Sequence, residues 1–248
     1  VKLKGKVAIV TGGGRGIGRA IAEAFALEGA KVVVTAARQK AEIAEVASRI
    51  DGAAFLADVS DRDQVRRLVD TVVADFGRID ILVNNAARGM KFVNENFMTE
   101  PKAFWTADVD AWRMVIDTNV IGVFLVTRAV IPHMLERGSG RIINISISAE
   151  TMRRKGFTPY GPSKAALESM STIWAQELEG TGITLNVLLP GGATNTGMIP
   201  GSFPESRFKE LIDPRVMGAP AVYLASDEAR EVNGQRIIAV EWQKTRSV

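Results

Sequence analysis

Tyr160 and Lys164 stand four positions apart, a spacing that puts both on one face of a helix. A free phenol has a pKa of about 10. An adjacent ammonium stabilises the phenolate and lowers that value. A phenol tuned in this way can protonate a carbonyl oxygen as hydride reaches the carbon, or take up the hydroxyl proton in reverse. The ammonium has further donors for a ribose hydroxyl. Pro162 lies between the two residues, and near a helix start it is tolerated. Alone, such a pair is more often an ordinary surface pair, so its meaning depends on what positions it.

The first stretch of the chain supplies a second half to that chemistry. Val7–Val10 is a short, β-branched apolar run that stops at glycines, and Ile17, Ala20, Ile21, Ala24 and Phe25 then recur at helical spacing. Strand, glycine turn and helix follow one another. Gly12, Gly16 and Gly18 can take backbone angles closed to other residues and leave no Cβ in the way. A phosphate can therefore approach the backbone N–H groups and the positive end of the helix dipole. Between a buried strand and an amphipathic helix, this pattern points to a bound dinucleotide.

Further apolar runs at 32–35, 53–56, 81–83, 141–145, 184–189 and 237–240 alternate with helical patterns at 39–49, 61–76, 110–137, 160–180 and 216–226. The expected fold is α/β: a Rossmann-type, doubly wound parallel sheet of about seven strands with helices on both faces. Several runs are continuously apolar, as strands covered on both faces must be. One domain over residues 1–248 is the economical organisation.

The ends of the runs carry the candidate binding residues. After the second run, positions 36 and 37 are alanines and Arg38 follows, with Arg15 inside the glycine turn. An acid here would bind a ribose 2′-hydroxyl, whereas a basic residue accommodates a 2′-phosphate. Two cations and no anion predict NADP(H). Asp58, beside Val59, can accept from an adenine amino group or cap the helix beginning near Asp61. Asn84 and Asn85 end the fourth run, where adjacent amides can pin the sheet edge and line the cleft.

Together, Thr11-Gly12…Gly16-Ile17-Gly18, Asp58-Val59, Asn84-Asn85-Ala86, Asn119, Tyr160…Lys164 and Pro190-Gly191 closely resemble the short-chain dehydrogenase/reductase family over nearly the whole chain. The resemblance implies a nicotinamide cofactor bound at the first three of these motifs, Pro190 and Gly191. It implies hydride transfer between nicotinamide and a carbonyl carbon while Tyr160 handles the proton and Lys164 tunes it. Asn119, inside the 110–137 helix pattern, is expected to disrupt the helix locally and leave a main-chain carbonyl to hold a relay water beside the lysine. Thr194 or Thr196 meets the nicotinamide carboxamide.

The chain departs from the family pattern at the serine that orients the substrate carbonyl. Thirteen positions before Tyr160 stands Ile147, which donates nothing, flanked by Ser146 and Ser148. Successive strand residues face opposite sides, so a bulge decides which hydroxyl turns inward. The balance lies slightly towards Ser148. Losing such a donor costs ~3 kcal/mol. Ala87 replaces the family's usual glycine, and the 190–198 stretch is a residue longer than usual.

Residues 88–109 form a longer connection than the family's. They carry Met90, Phe92, Phe97, Met98, Phe104 and Trp105, and they read as a folded flap over the pocket, with a subunit contact as the rival. Residues 197–215 read as a mobile lid. Arg153 and Arg154 lie near the expected mouth, where they greet an acidic substrate or are simply solvated.

The composition narrows the alternatives. In 248 residues, 46% are hydrophobic and 24% charged, an ordinary globular mixture. There is no cysteine, hence no disulfide framework or thiolate chemistry. His133 is the only histidine, so no usual metal site is expected. The net charge of +3 is spread among acids, which argues against nucleic-acid binding. No secretory pattern opens the sequence and its apolar runs look too short for a bilayer, so a cytoplasmic protein without a membrane partner is expected. The family analogy adds a homotetramer. The leading expectation is an NADP(H)-dependent enzyme acting on a small carbonyl or alcohol. The alternatives are an NAD-linked diol or sugar dehydrogenase and a non-catalytic NADP(H) sensor.

Overall fold

The computed structural model describes residues 1–246. Seven parallel strands form one sheet: β1 (Val7–Thr11), β2 (Lys31–Ala36), β3 (Ala53–Leu56), β4 (Ile81–Asn84), β5 (Gly140–Ile145), β6 (Ile183–Leu189) and β7 (Arg236–Ile238). Their order across the sheet is β3-β2-β1-β4-β5-β6-β7. β1, β4, β5 and β6 are buried along their whole length, because helices cover both faces and the apolar runs need no polar side.

One face packs α1 (Gly16–Leu27) and α8 (Gly218–Ala225) against Ala8, Val10, Val34, Ile143 and Leu188; α2 (Lys40–Arg49) adds Ile43 and Val46 to the same core. The other face packs α3 (Arg62–Phe76), α5 (Gly122–Arg137) and α7 (Tyr160–Glu177) against Ile9, Val33, Leu82, Ile142 and Leu185. α4 (Val109–Ile116) runs into α5 through a wide turn at Asp117–Ile121, and α6 (Ala149–Met152) is a single turn after β5.

Most expected elements appear where the apolar runs placed them, but the end of the chain differs. A strand was expected over 237–240. β7 instead pairs for only three residues, and Ala239–Arg246 coils into α9. The strand side chains there are only partly covered, while Trp242 packs its ring on Tyr223 at 5.8 Å.

The expectation that no segment is apolar enough to span a bilayer also needs correction. The 29-residue helical run Val109–Arg137 contains a stretch with mean hydropathy 1.8, sufficient by length and composition alone. In the fold, however, this run packs on the sheet face between α3 and α7, and Val115, Val126, Val130 and Met134 are buried in it.

The strand order reverses between β1 and β4, which opens a crevice at their carboxyl ends. Gly12 and Gly16 take φ of +63° and +53° there. Gly18 packs so closely that a Cβ would strike the Gly12 carbonyl oxygen and sit 2.5 Å from Asn85 Nδ2. Gly18→Ala is therefore expected to destabilise the protein by about 1–3 kcal/mol, read as a lower midpoint in urea unfolding. A parent-like midpoint would show that the loop relaxes freely.

Candidate active site

A cavity of about 540 Å³ fills the crevice. Of the predicted residues, Gly12, Arg15, Gly16, Ile17, Arg38, Asp58, Val59, Asn85, Ala86 and Thr196 line it. Gly18, Pro190, Gly191, Thr194, Asn119, Ser146, Ser148, Tyr160 and Lys164 are not on its wall.

The floor is built for an anion. α1 starts at Gly16 behind Arg15, which makes no side-chain cap, and its first turn carries no acid. The first-turn N–H groups thus have no partner within the helix, and the positive end of its dipole faces the cavity. A Cβ on Gly16 would meet Thr196 Cγ2 at 3.0 Å, so the backbone here admits only glycine's profile. These features fit the pyrophosphate of a dinucleotide.

At the β2 end the balance of charge is less one-sided than the sequence implied. Arg38 is exposed, and no carboxylate pairs with it among the described residues. Arg15 lies 3.5 Å from Glu42, which lines the same cavity. The expectation of two cations with no anion nearby is therefore corrected, because α2 brings a carboxylate back over the loop.

Asp58 does not cap α3. Asp61 does, accepting from the N–H groups of Asp63 and Gln64. Asp58 Oδ1 instead accepts from Ser60 N at 3.0 Å and Ser60 Oγ at 2.6 Å, leaving Oδ2 towards the cavity residue Arg88 at 3.7 Å. Asn85 pins the crevice: its Nδ2 donates to the carbonyls of Thr11 and Gly12 at 2.9 and 3.0 Å. Asn84, behind it, donates to Thr127 Oγ1 and Asn144 Oδ1 and so ties β4 to β5.

Tyr160 and Lys164 lie beyond the cavity wall. Lys164 is buried and donates from Nζ to the Ile145 carbonyl at 2.7 Å. Burial pushes its ammonium down to about 8, with Glu168 one turn further along α7 pulling it back up. The Tyr160 phenol is pushed up to about 12 by burial. A lowered phenol was expected. Among the protein's own groups desolvation wins, since Lys164 is committed to a backbone carbonyl.

Asn119 lies in the wide turn between α4 and α5, so the helix is disrupted as expected, but its side chain is the visible actor. Oδ1 accepts from Arg88 N at 2.8 Å, while Nδ2 donates to Arg88 O and to Ser163 Oγ, each at 3.0 Å. Ser163 Oγ in turn donates to the Tyr160 carbonyl at 2.7 Å. Asn119 thereby couples the flap's first residue to the first turn of α7.

The two serines are separated by their partners. Ser146 is buried and donates to Glu168 Oε1 at 2.6 Å; Arg236 holds that carboxylate at 3.0 Å and donates to the Ile147 carbonyl. Ser148 is half-buried and caps α6, accepting from Thr151 N at 3.2 Å and sharing a hydrogen with Thr151 Oγ1. Thr194 lies apart: it is buried, bridges Ile212 and donates to the Gly192 carbonyl. Gly191 takes φ of +105°, and a Cβ there would meet Val240 Cγ2 at 2.5 Å.

The flap is folded. Met90 and Phe97 are buried with Phe157, edge to face at 5.4 Å, and the cluster packs against Tyr160. Gly89 also faces Met198, so flap and lid meet beside the cavity. In the lid, Phe203 is buried and meets Phe208 edge to face at 5.5 Å.

Sequence reasoning missed Arg88, Ser163, Glu168 and Arg236. Only Glu168 carried a signal, standing one helical turn after Lys164.

A glycine-turn crevice at a switch point, beside a half-buried tyrosine and a buried lysine on one helix, defines a dinucleotide-dependent oxidoreductase site. The chain belongs to the short chain dehydrogenase family, whose profile matches residues 6–206. It is 33% identical to the 3-oxoacyl-(acyl-carrier-protein) reductase FabG of Thermotoga maritima, over 96% of this chain and 97% of that one. Among solved structures it resembles a short chain dehydrogenase of Burkholderia cenocepacia in complex with NADP, with TM-score 0.83, 29% identity and coverage of 96% and 97%. It also resembles a 3-ketoacyl-(acyl-carrier-protein) reductase of Brucella melitensis complexed with NADH, with TM-score 0.84, 32% identity and coverage of 95% and 97%.

Glu168 raises the lysine's affinity for its proton. Glu168→Gln removes that charge, so Lys164 is expected to deprotonate at lower pH than in the parent. The alkaline limb of the pH–rate profile should shift downward accordingly. An unmoved limb would show that Arg236 already neutralises Glu168.

Proposed function

We propose that this protein is an NADP(H)-dependent ketoreductase or alcohol dehydrogenase for a small carbonyl or alcohol substrate. The observation that carries this reading is the Tyr160–Lys164 pair, the phenol half-buried and the amine buried on the first turns of α7 beside the crevice.

The exposed Arg38, unopposed by a carboxylate among the described residues, supports a 2′-phosphate on the cofactor. The two similar solved structures hold NADP and NADH respectively, so the preference rests on this chain's own residues. The glycine turn and the α1 N-terminus would hold the pyrophosphate, Arg38 and Arg15 the ribose phosphate, and Thr196 the nicotinamide end. Thr194, Pro190 and Gly191 would support that end from behind.

Bound NADPH supplies the hydride. Tyr160 donates its proton to the carbonyl oxygen, and its burial keeps it protonated until that oxygen needs it. Lys164, one helical turn after Tyr160 and held by the Ile145 carbonyl, would favour the phenolate as the proton leaves. Asn119 fixes the first turn of α7 through Ser163. Ser148 orients the substrate oxygen: Thr151 N donates to it, and with Thr151 Oγ1 as the donor of the shared hydrogen bond Ser148 keeps its own hydrogen to give. Ser146 has already spent its hydrogen on Glu168.

Exposed Ile121, Phe124 and Leu135 on the α5 side and Ile173 on α7 supply an apolar surface for association. It supports a homotetramer built on these two helices. The same soluble-enzyme reading places the protein in the cytoplasm, with no nucleic-acid or membrane partner.

Tyr160→Phe is expected to lower turnover by about 10²–10⁴-fold while NADPH still quenches protein fluorescence on binding. Undiminished turnover would sink the mechanism. Ser148→Ala should lose about 10²-fold in kcat and Ser146→Ala clearly less; equal losses would refute the choice of serine. Phe124→Asp together with Ile173→Asp should reduce the sedimenting species from a tetramer to a smaller one, and an unchanged species would exclude this interface.

A further inference from the structure

We propose that Arg88 is a cofactor-binding residue of this chain, its guanidinium forming the wall against which the adenosine half of the dinucleotide lies. The inference rests on the cofactor reading above and adds a residue to it.

Arg88 follows Ala87 directly after β4 and lines the cavity with Asp58, Val59 and Thr118. Its backbone is gripped on both sides by Asn119, through N–H at 2.8 Å and carbonyl at 3.0 Å. Its side chain is then held in one place. Nε donates to Thr118 Oγ1 at 2.9 Å, and the guanidinium carbon sits 5.2 Å from the centre of the Phe92 ring. Only 13% of the side chain is exposed.

That placement is poorly compensated by the protein alone. The one carboxylate within ion-pair distance among the described residues, Asp58, stands off at 3.7 Å and already takes both donors of Ser60. Nη1 faces only the thioether of Met114. A permanent charge withdrawn from water with so loose a partner is costly. It is repaid when a ligand arrives whose electron-rich face the planar guanidinium can cover. A purine offers such a face, and a guanidinium stacks on it as it does on an aromatic ring.

The position also suits the base rather than the phosphates. Arg15 and the α1 N-terminus hold the middle of the crevice, and Arg38 its β2 end. Arg88 stands across the cavity with Asp58 and Val59, which end the β3 connection. The ligand chemistry it fits is an adenine nucleoside phosphate, whichever nicotinamide dinucleotide carries it.

Calorimetric titration of the full chain with 2′,5′-ADP and with 5′-AMP tests this, since the two fragments differ only in the 2′-phosphate. Arg88→Met keeps the apolar stem and loses the charged plane; Arg88→Lys keeps the charge and loses the plane. The Met variant should bind the parent's preferred fragment about tenfold more weakly, with the Lys variant between, and both should melt with the parent. Parent-like affinity in the Met variant overturns the proposal, as does a loss in both variants that follows a fall in melting temperature. A parent that prefers 5′-AMP refutes the NADP(H) reading alone, with Arg88 then judged on 5′-AMP. A parent that binds neither fragment refutes both.

Discussion

Thr11, at the end of the first strand, accepts the backbone N–H groups of both Asn85 and Ala86 at 3.0 Å and donates to the Val83 carbonyl. Asn85 answers by donating from its side chain to the carbonyls of Thr11 and Gly12. These few bonds hold β1 and β4 together just where their connections diverge to opposite faces of the sheet. A crevice at a switch point is a topological consequence of strand order, but its width is set here. With the loop pinned from below, the glycine backbone stays in its left-handed turns and the first N–H groups of α1 remain aimed at the cavity.

The reactive pair depends on a second constraint, carried by α7. Lys164 reaches back to the β5 carbonyl of Ile145, and Glu168 one turn later meets Ser146 and Arg236. The helix is therefore bolted to the ends of β5 and β7 along one face. That bolt buries an amine and a phenol together, and burial moves both away from their charged forms. The same bolt withdraws Ser146 and turns its neighbour's carbonyl to Arg236, which leaves the half-buried Ser148 as the reachable hydroxyl.

The flap adds what the family's shorter connection does not. Phe97 and Phe157 meet beside Tyr160, while Arg88 and Phe92 at the flap's start lie along the cavity. One connection therefore touches both the crevice and Tyr160. Asn119 sits at the joint, bonded to Arg88 on one side and, through Ser163, to Tyr160 on the other. The first residue of the 88–109 connection and the first turn of α7 are therefore joined through one asparagine.

The alternation of apolar runs with helical periodicities was sufficient for the parallel sheet, since a fully buried strand must be apolar on both faces and a crossover needs a helix. The glycine turn and the Tyr160–Lys164 spacing were legible for a similar reason: both are local, set by backbone angles or one helical turn. The partner of Ser146 was not legible, because Glu168 lies 22 positions away, and Arg236, which holds that carboxylate, lies 68 positions beyond Glu168; they meet only through packing. The phenol's proton affinity was misjudged for the same cause, as local spacing reports the neighbouring charge but not the burial that outweighs it. Glu42 beside Arg15 arises where α2 folds back over the glycine turn, and Arg88 beside Asp58 where two strand-end loops converge. Sequence alone determined which elements form and which chemistry they can carry; tertiary structure decided which polar groups are left free to perform it, because desolvation and hydrogen-bond competition are properties of the packed whole.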